Sequence, residues 1–227
     1  MSTINSASVI RHPDCFYIGG DWVKPSSDDT INVIAPATEL IYVNVAEARE
    51  EDISRAVAAA RSAFDNGPWP RLTHGERAGY LRAFAEELRK RAGDFAQSWP
   101  SEAGITLNVA SAMAETLPSL YEFYASIADS FPFYEHHTPS DGYGAGLLVR
   151  EPVGVVAMIV PWNASAFLAS CKIAPALLAG CTMVLKSSPE APSAGYLLAE
   201  IAEAIGLPAG VLNVVTADRA ASESLVR

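Results

Sequence analysis

Two short stretches of this sequence hold residues whose types and positions could do chemistry. The first is Pro161-Trp162-Asn163, straight after the apolar run Val155–Val160. The second is Lys186-Ser187-Ser188-Pro189-Glu190, which follows directly on Thr182–Lys186. If both runs are buried parallel strands, both stretches lie at carboxyl ends, where open parallel sheets bind their ligands. Asn163 and Lys186 then share one rim of one crevice. An Asn amide there can donate to a developing oxyanion, and a Lys amine can donate to the hydroxyls or phosphates of a nucleotide. Plainer roles are open to both residues: Asn163 can cap the helix that follows it, and Lys186 can be a solvated strand end. Lys172 is the lone charge within Ala164–Gly180. It is either a lysine snorkelling at a helix surface or a buried amine near the same rim.

The elements that must position these residues follow from hydrophobic periodicity. Val155–Val160 is a β-branched strand, residues 165–179 a nearly all-apolar helix ending at Gly180, and Thr182–Lys186 a second buried strand. Ser193–Ile205 is an amphipathic helix stopped by Gly206-Leu207-Pro208, and Val211–Val215 a third strand. Continuous apolar strands alternating with helices predict an α/β fold with a doubly wound parallel sheet covered on both faces. The edge beyond Val211–Val215 is expected to lie open unless a partner covers it.

Upstream, Phe16–Val23 reads as two strand pieces around Gly19-Gly20-Asp21, with further extended pieces near Ile31–Ile34 and Leu40–Val45. A helix begins at about Glu50, with Ile53, Val57, Ala60 and Phe64 on one face, and Gly67-Pro68-Trp69-Pro70 ends it. Thr73-His74-Gly75-Glu76 has capping-box spacing and opens a helix whose buried stripe is Leu81, Phe84, Leu88 and Phe95. A third helical region, Val109–Asp129, points Met113, Leu117, Leu120, Tyr124 and Ile127 inward, and Pro118 predicts a kink or break. Residues 131–150 read as a loop followed by a strand at Leu147–Val149.

Composition narrows the function classes. Half of the 227 residues are apolar and 19% are charged, a globular balance. Sixteen basic against 26 acidic residues give −10. Nucleic-acid binding leaves a basic footprint, so neither it nor an anionic membrane surface is expected. Three cysteines, Cys15, Cys171 and Cys181, have no CxxC spacing and suit a reducing compartment. No basic segment followed by an apolar core opens the chain, so a cytoplasmic location is expected. The apolar stretch Val153–Leu185 is interrupted by Pro161, Asn163, Lys172 and Pro175, which argues against a membrane span.

Several motif-like features carry little. Gly142-Tyr143-Gly144-Ala145-Gly146 starts like a phosphate-binding glycine loop, but it precedes a strand where that loop needs a helix. The sequon Asn163-Ala164-Ser165 stands in a chain with no secretory signal. His136 and His137 are adjacent, which is not the spacing of a helical zinc pair, and no metal is expected. Cys171 and Cys181 lie in apolar surroundings, where a thiol is inert.

The chain resembles the NAD(P)-dependent aldehyde dehydrogenase superfamily. The resemblance rests on Glu151–Val156, Pro161-Trp162-Asn163, Lys172–Lys186 and Gly206–Val215, and upstream on Tyr17–Trp22, Ala56–Phe64 and Gly67-Pro68-Trp69. It implies a Rossmann-like cofactor domain preceded by a helical N-terminal region. Residues 1–133 would be the first part of that domain, 134–152 an excursion matching an oligomerisation arm, and 153–227 its βαβαβ part. It implies NAD or NADP as cofactor, an aldehyde as substrate, and a homo-oligomer when full length. Asn163 would donate to the oxyanion of the thiohemiacetal. Ile159, Val160, Pro161 and Trp162 would line the cofactor cleft, with Lys186 and Ser188 contributing to it and Lys186 bonding the adenosine ribose. Lys172 would match the lysine assigned to a charge relay in some members.

The sequence departs from the family pattern in three places. The family's carboxylate stands three residues after the lysine; here that position is Pro189 and the acid is Glu190. An aromatic-Pro pair usually follows the Asn, where this chain has Ala164-Ser165. The glycine-rich phosphate turn, the general-base Glu and the nucleophilic Cys all match positions beyond Arg227, so a truncated fold lacking the catalytic domain, and inactive alone, is expected. Two readings follow. One is the cofactor-binding half of an aldehyde-oxidising enzyme, with the rest supplied by a longer chain or a partner. The other is a non-catalytic module that binds a nucleotide or assembles with a partner.

Overall fold

A computed structural model describes residues 8–226. Within that range the chain opens with β1 (Phe16–Ile18) and β2 (Asp21–Val23), paired antiparallel across Gly19-Gly20. A separate hairpin follows, β3 (Thr30–Ala35) with β4 (Leu40–Ala46), its register broken between Val33 and Ile34. The helical layer is α1 (Glu50–Asp65), α2 (His74–Lys90), α3 (Ala92–Ala103) and α4 (Leu107–Ser126). β5 (Tyr134–His137) and β6 (Gly146–Val149) form a second isolated hairpin. The remainder is β7 (Val155–Ile159), α5 (Ser165–Ala179), β8 (Thr182–Ser187), α6 (Ser193–Ala204), β9 (Leu212–Thr216) and the single turn α7 (Arg219–Ser222).

β7, β8 and β9 are parallel, as the β-α-β-α-β pattern predicts. The edge beyond β9 is not open, contrary to expectation. β1 pairs with β9 antiparallel at Tyr17–Val214, and the five-stranded order is β2-β1-β9-β8-β7. The two edge strands are therefore β2 and β7, and β7 is the edge of the parallel part. Its even-numbered residues face β8, because Thr182 N–H donates to Gly154 O and Val160 N–H to Lys186 O. Residues 155, 157 and 159 consequently turn their backbone groups outward.

The sequence-predicted helices differ from the observed ones where small residues make the contacts. The buried stripe of α1 is Ile53, Ala56, Ala60 and Ala63, while Val57 is exposed. That of α4 is Ala110, Ala114, Leu117, Tyr121 and Ala125, rotated from the expected Met113, Leu120, Tyr124 and Ile127. Helices that pack closely put alanine at the contact, so choosing the largest apolar residue misjudges the face. α4 runs unbroken through Pro118, which is buried, and Tyr121 stacks on Phe84 of α2 with centroids 4.6 Å apart. The helix expected to reach Phe95 ends at Lys90. Arg91 leaves helical geometry, and its guanidinium binds the buried Glu200 of α6 at 2.9 Å.

The helical layer is fastened to the sheet unit by polar contacts that are buried and paired. Asp52 of α1 accepts from Ser26 N–H at 2.9 Å, Ser26 Oγ at 2.7 Å and Arg49 N–H at 3.0 Å. Thr182 Oγ1 donates to Ala60 O at 2.8 Å, holding α1 against β8. Gly180 ends α5 at φ 92, and a Cβ there would overlap the buried Arg77 guanidinium. That side chain lies within 3.5 Å of the Trp69 and Pro70 carbonyls. Gly180→Ala is expected to cost about 2 kcal/mol through the left-handed φ and the displaced guanidinium. Urea unfolding of the two chains checks it, and a midpoint within error of the parent would contradict the steric account.

Candidate functional site

The candidate residues gather at the carboxyl ends of the three parallel strands. β7 and β8 are in register at Ile159–Lys186, so the loop after β7 and the amine at the end of β8 meet at one rim. β9 adds a third contribution two residues past Thr216, at Asp218.

Lys186 is 8% exposed, and among the described residues its amine makes no hydrogen bond to the protein. Its stem is buried, while the amine itself is not among the buried polar atoms that lack a partner and so keeps access to the rim. Burial lowers its proton affinity, an effect opposed by the carboxylates of Glu190 and Asp218. An amine of this kind can be satisfied by the oxygen atoms of a bound nucleotide. The neighbouring Ser188 is buried, and its hydroxyl donates to a Glu190 carboxylate oxygen, so it is engaged with that side chain. Glu190, together with Pro189 and Trp162, also lines an open cleft of about 500 Å3 to which β3 contributes Ile31 to Ile34.

Pro161, Trp162 and Asn163 lie exposed in the turn between β7 and α5. Val160 is buried and Ile159 is 38% exposed on the open edge. Ala164 caps α5 without any side-chain hydrogen bond, so the capping role open to Asn163 is not used. Its main-chain carbonyl accepts from Trp99 Nε1 at 3.0 Å, which ties the turn to α3. The Lys172 amine donates to Ile159 O at 2.7 Å. It thus sits at the end of β7, on an outward-facing carbonyl of the open edge. Lys172 is exposed, so of its two sequence readings the surface lysine is the one observed, and the expected buried amine is not.

The structure brings together Ile159, Val160, Pro161, Trp162, Asn163, Lys172, Lys186 and Ser188 around one end of the sheet. Sequence reasoning missed Trp99 and Asp218. Trp99 lies 64 residues from its partner and no local pattern marks it. Asp218 could have been found as an acid just past the third strand, the position matching Lys186 and Asn163 on the other two.

Burial pushes the Cys171 thiol up, which makes it a weak nucleophile at neutral pH. Gly142 and Gly144 lie in the exposed connection between β5 and β6, away from any helix start. Among the described residues no three His, Cys, Asp or Glu side chains gather as a metal site, and no helix is long and apolar enough to cross a membrane.

Residues 22–227 match the model of the "Aldehyde dehydrogenase family". Aldehyde dehydrogenase 1 of Tanacetum cinerariifolium is 40% identical over 200 residues, covering 88% of this chain and 40% of that protein. Geranial dehydrogenase of Castellaniella defragrans is 39% identical, over 92% of this chain and 44% of that protein. Among solved structures, an aldehyde dehydrogenase of Mycobacterium tuberculosis complexed with NAD+ superposes with a TM-score of 0.89 at 43% identity, covering 93% of this chain and 44% of that one. The chain thus spans well under half the length of the relatives it matches.

Proposed function

The chain belongs to the aldehyde dehydrogenase family, and from that premise we propose that it is the cofactor-binding portion of an enzyme oxidising an aldehyde to a carboxylic acid with NAD or NADP. When bound, the cofactor's nicotinamide supplies the hydride acceptor. This chain's own residues do the rest of what is assigned to it. Lys186 donates to the adenosine ribose, and Ile159, Val160, Pro161 and Trp162 line the cleft. Ser188 contributes by holding Glu190. The Asn163 amide, free of a capping role, donates to the oxygen of the reacting carbonyl, where charge develops. Lys172 fastens the end of the strand that presents it.

The organisation follows the same reading. Residues 1–133 and 153–227 build the cofactor-binding unit, and the excursion at 134–152 serves a second copy of the protein. The β5–β6 hairpin supports that assignment, because Tyr134, Leu147, Leu148 and Val149 are all exposed on it. A large apolar surface on a projecting hairpin is suited to a protein contact. The acidic charge and the unpaired cysteines favour a cytoplasmic protein that binds neither nucleic acid nor membrane.

The single observation that carries the reading is the Lys186 side chain at the carboxyl end of β8, largely buried along its length, with an amine that makes no hydrogen bond among the described residues. Lys186→Ala is expected to weaken NAD+ binding to this chain by about tenfold or more, the effect of losing hydrogen bonds from a charged donor. Calorimetric titration of both chains measures it. Unchanged affinity would remove Lys186 from the cofactor site.

A further inference from the structure

We propose that Trp99 is a positioning residue: from a place 64 residues earlier in the chain, its indole N–H holds the turn that presents Asn163. The inference rests on the reading of Asn163 and the cleft above, and goes beyond it by naming what fixes them.

The turn between β7 and α5 is poorly held by its own backbone. The ladder to β8 reaches Val160, whose N–H donates to Lys186 O, and the bonds of α5 begin with Leu168 N–H to Ala164 O. Pro161 has no N–H to donate. Ala164 has φ −149° and ψ 48°, outside helical geometry, and no side chain caps the helix. For residues 161–163, among the described residues, the hydrogen bond that remains is Trp99 Nε1 to Asn163 O at 3.0 Å. The Asn163 carbonyl and side chain share one Cα, so fixing the first narrows the directions open to the second. Ala164 and Ser165 bring neither bulk nor a fixed φ to hold the turn in another way.

Trp99 can do this because its own helix is anchored beside the sheet. Glu102, one turn further along α3, accepts from Ser193 N–H and Oγ at the end of the connection that leaves β8. Residues three apart share a helix face. One face of α3 therefore holds both rim connections, the one after β7 through Trp99 and the one after β8 through Glu102. The Trp99 ring is half-buried and lines the small cavity it shares with Phe95, Leu117, Ala164 and Phe167. Packing fixes the ring, and the ring's N–H fixes the turn.

The test separates the donor from the ring. Trp99→Phe keeps an aromatic side chain in the cavity and removes the N–H. Backbone 15N order parameters of residues 162–164 should fall from the rigid range near about 0.85 toward about 0.6. NAD+ affinity by calorimetry should weaken at least about threefold, since Trp162 of the same turn lines the cleft. In the parent chain the Trp99 indole N–H should exchange with solvent at least about tenfold more slowly than a free indole, a readout that needs no variant. A role in packing alone predicts an equally rigid turn in Trp99→Phe, and that result overturns the inference. So does a parent indole that exchanges as fast as a free one, or a loosened turn with unchanged NAD+ affinity. A parent chain that binds no NAD+ overturns the cofactor reading instead, and the order parameters still decide whether Trp99 holds the turn.

Discussion

Glu102→Gln should stabilise the chain at about pH 8.5 and change little below about pH 4.5. Glu102 lies near the end of α3, and its Oε1 accepts from Ser193 N–H at 3.0 Å and Ser193 Oγ at 2.6 Å at the start of α6. The carboxyl borders a cavity shared with Phe95, Trp99, Leu117 and Phe167, whose open space of about 10 Å3 is the room of a single water. Burial among these groups pushes its pKa from 4.5 up to about 8, against the opposing pull of the two Ser193 bonds. The unfolded chain therefore releases this proton near pH 4.5, while the folded chain keeps it until near pH 8. Through that window the folded state binds more protons, so stability falls as pH rises. The stabilisation is fully present below the lower value and is lost by the upper one. The span corresponds to about 3–5 kcal/mol. Gln keeps the accepting oxygen and cannot ionise, so it removes the loss. Urea unfolding of both chains at the two pH values decides the matter, and parallel pH slopes would refute it.

Asn213→Ala should be the most damaging single truncation of a polar side chain in the sheet. Asn213 is fully buried in β9. Its Oδ1 accepts Gly19 N–H at 2.8 Å, and its Nδ2 donates to Met183 O at 3.1 Å and Gly210 O at 2.8 Å. One side chain thus joins the β1–β2 turn, the start of β8 and the lead into β9. Removing it leaves three backbone groups without these partners in a dry setting, an expected cost of about 3–5 kcal/mol. The midpoint of urea unfolding should fall with its slope unchanged. A cost under about 1 kcal/mol would mean that water takes over the three bonds.

These two residues also mark the limit of what could be read in advance. Glu102 is one acid among 26 in the sequence, and nothing near it in the chain announces burial. Its environment is made by Ser193, 91 residues away. Asn213 reads as a polar interruption of an apolar strand, and its purpose appears only when the N-terminal hairpin lies beside it. Trp99 and Asp218 at the rim were missed for the same reason.

What the sequence determined by itself was local in origin. Strands β7 to β9, the helices between them, the capping box at Thr73 and the shared rim of Asn163 and Lys186 all follow from period, caps and the right-handed crossover. The family followed too, because its motifs lie in continuous stretches of chain. The tertiary structure alone decided that β9 is covered and is no edge of the sheet, since β1 reaches it across nearly 200 positions of sequence. It decided which helix faces are buried, since alanines win where helices approach closely. It also decided the state of the charges at the rim, because the field at an amine depends on every carboxylate folded near it, whatever their distance along the chain.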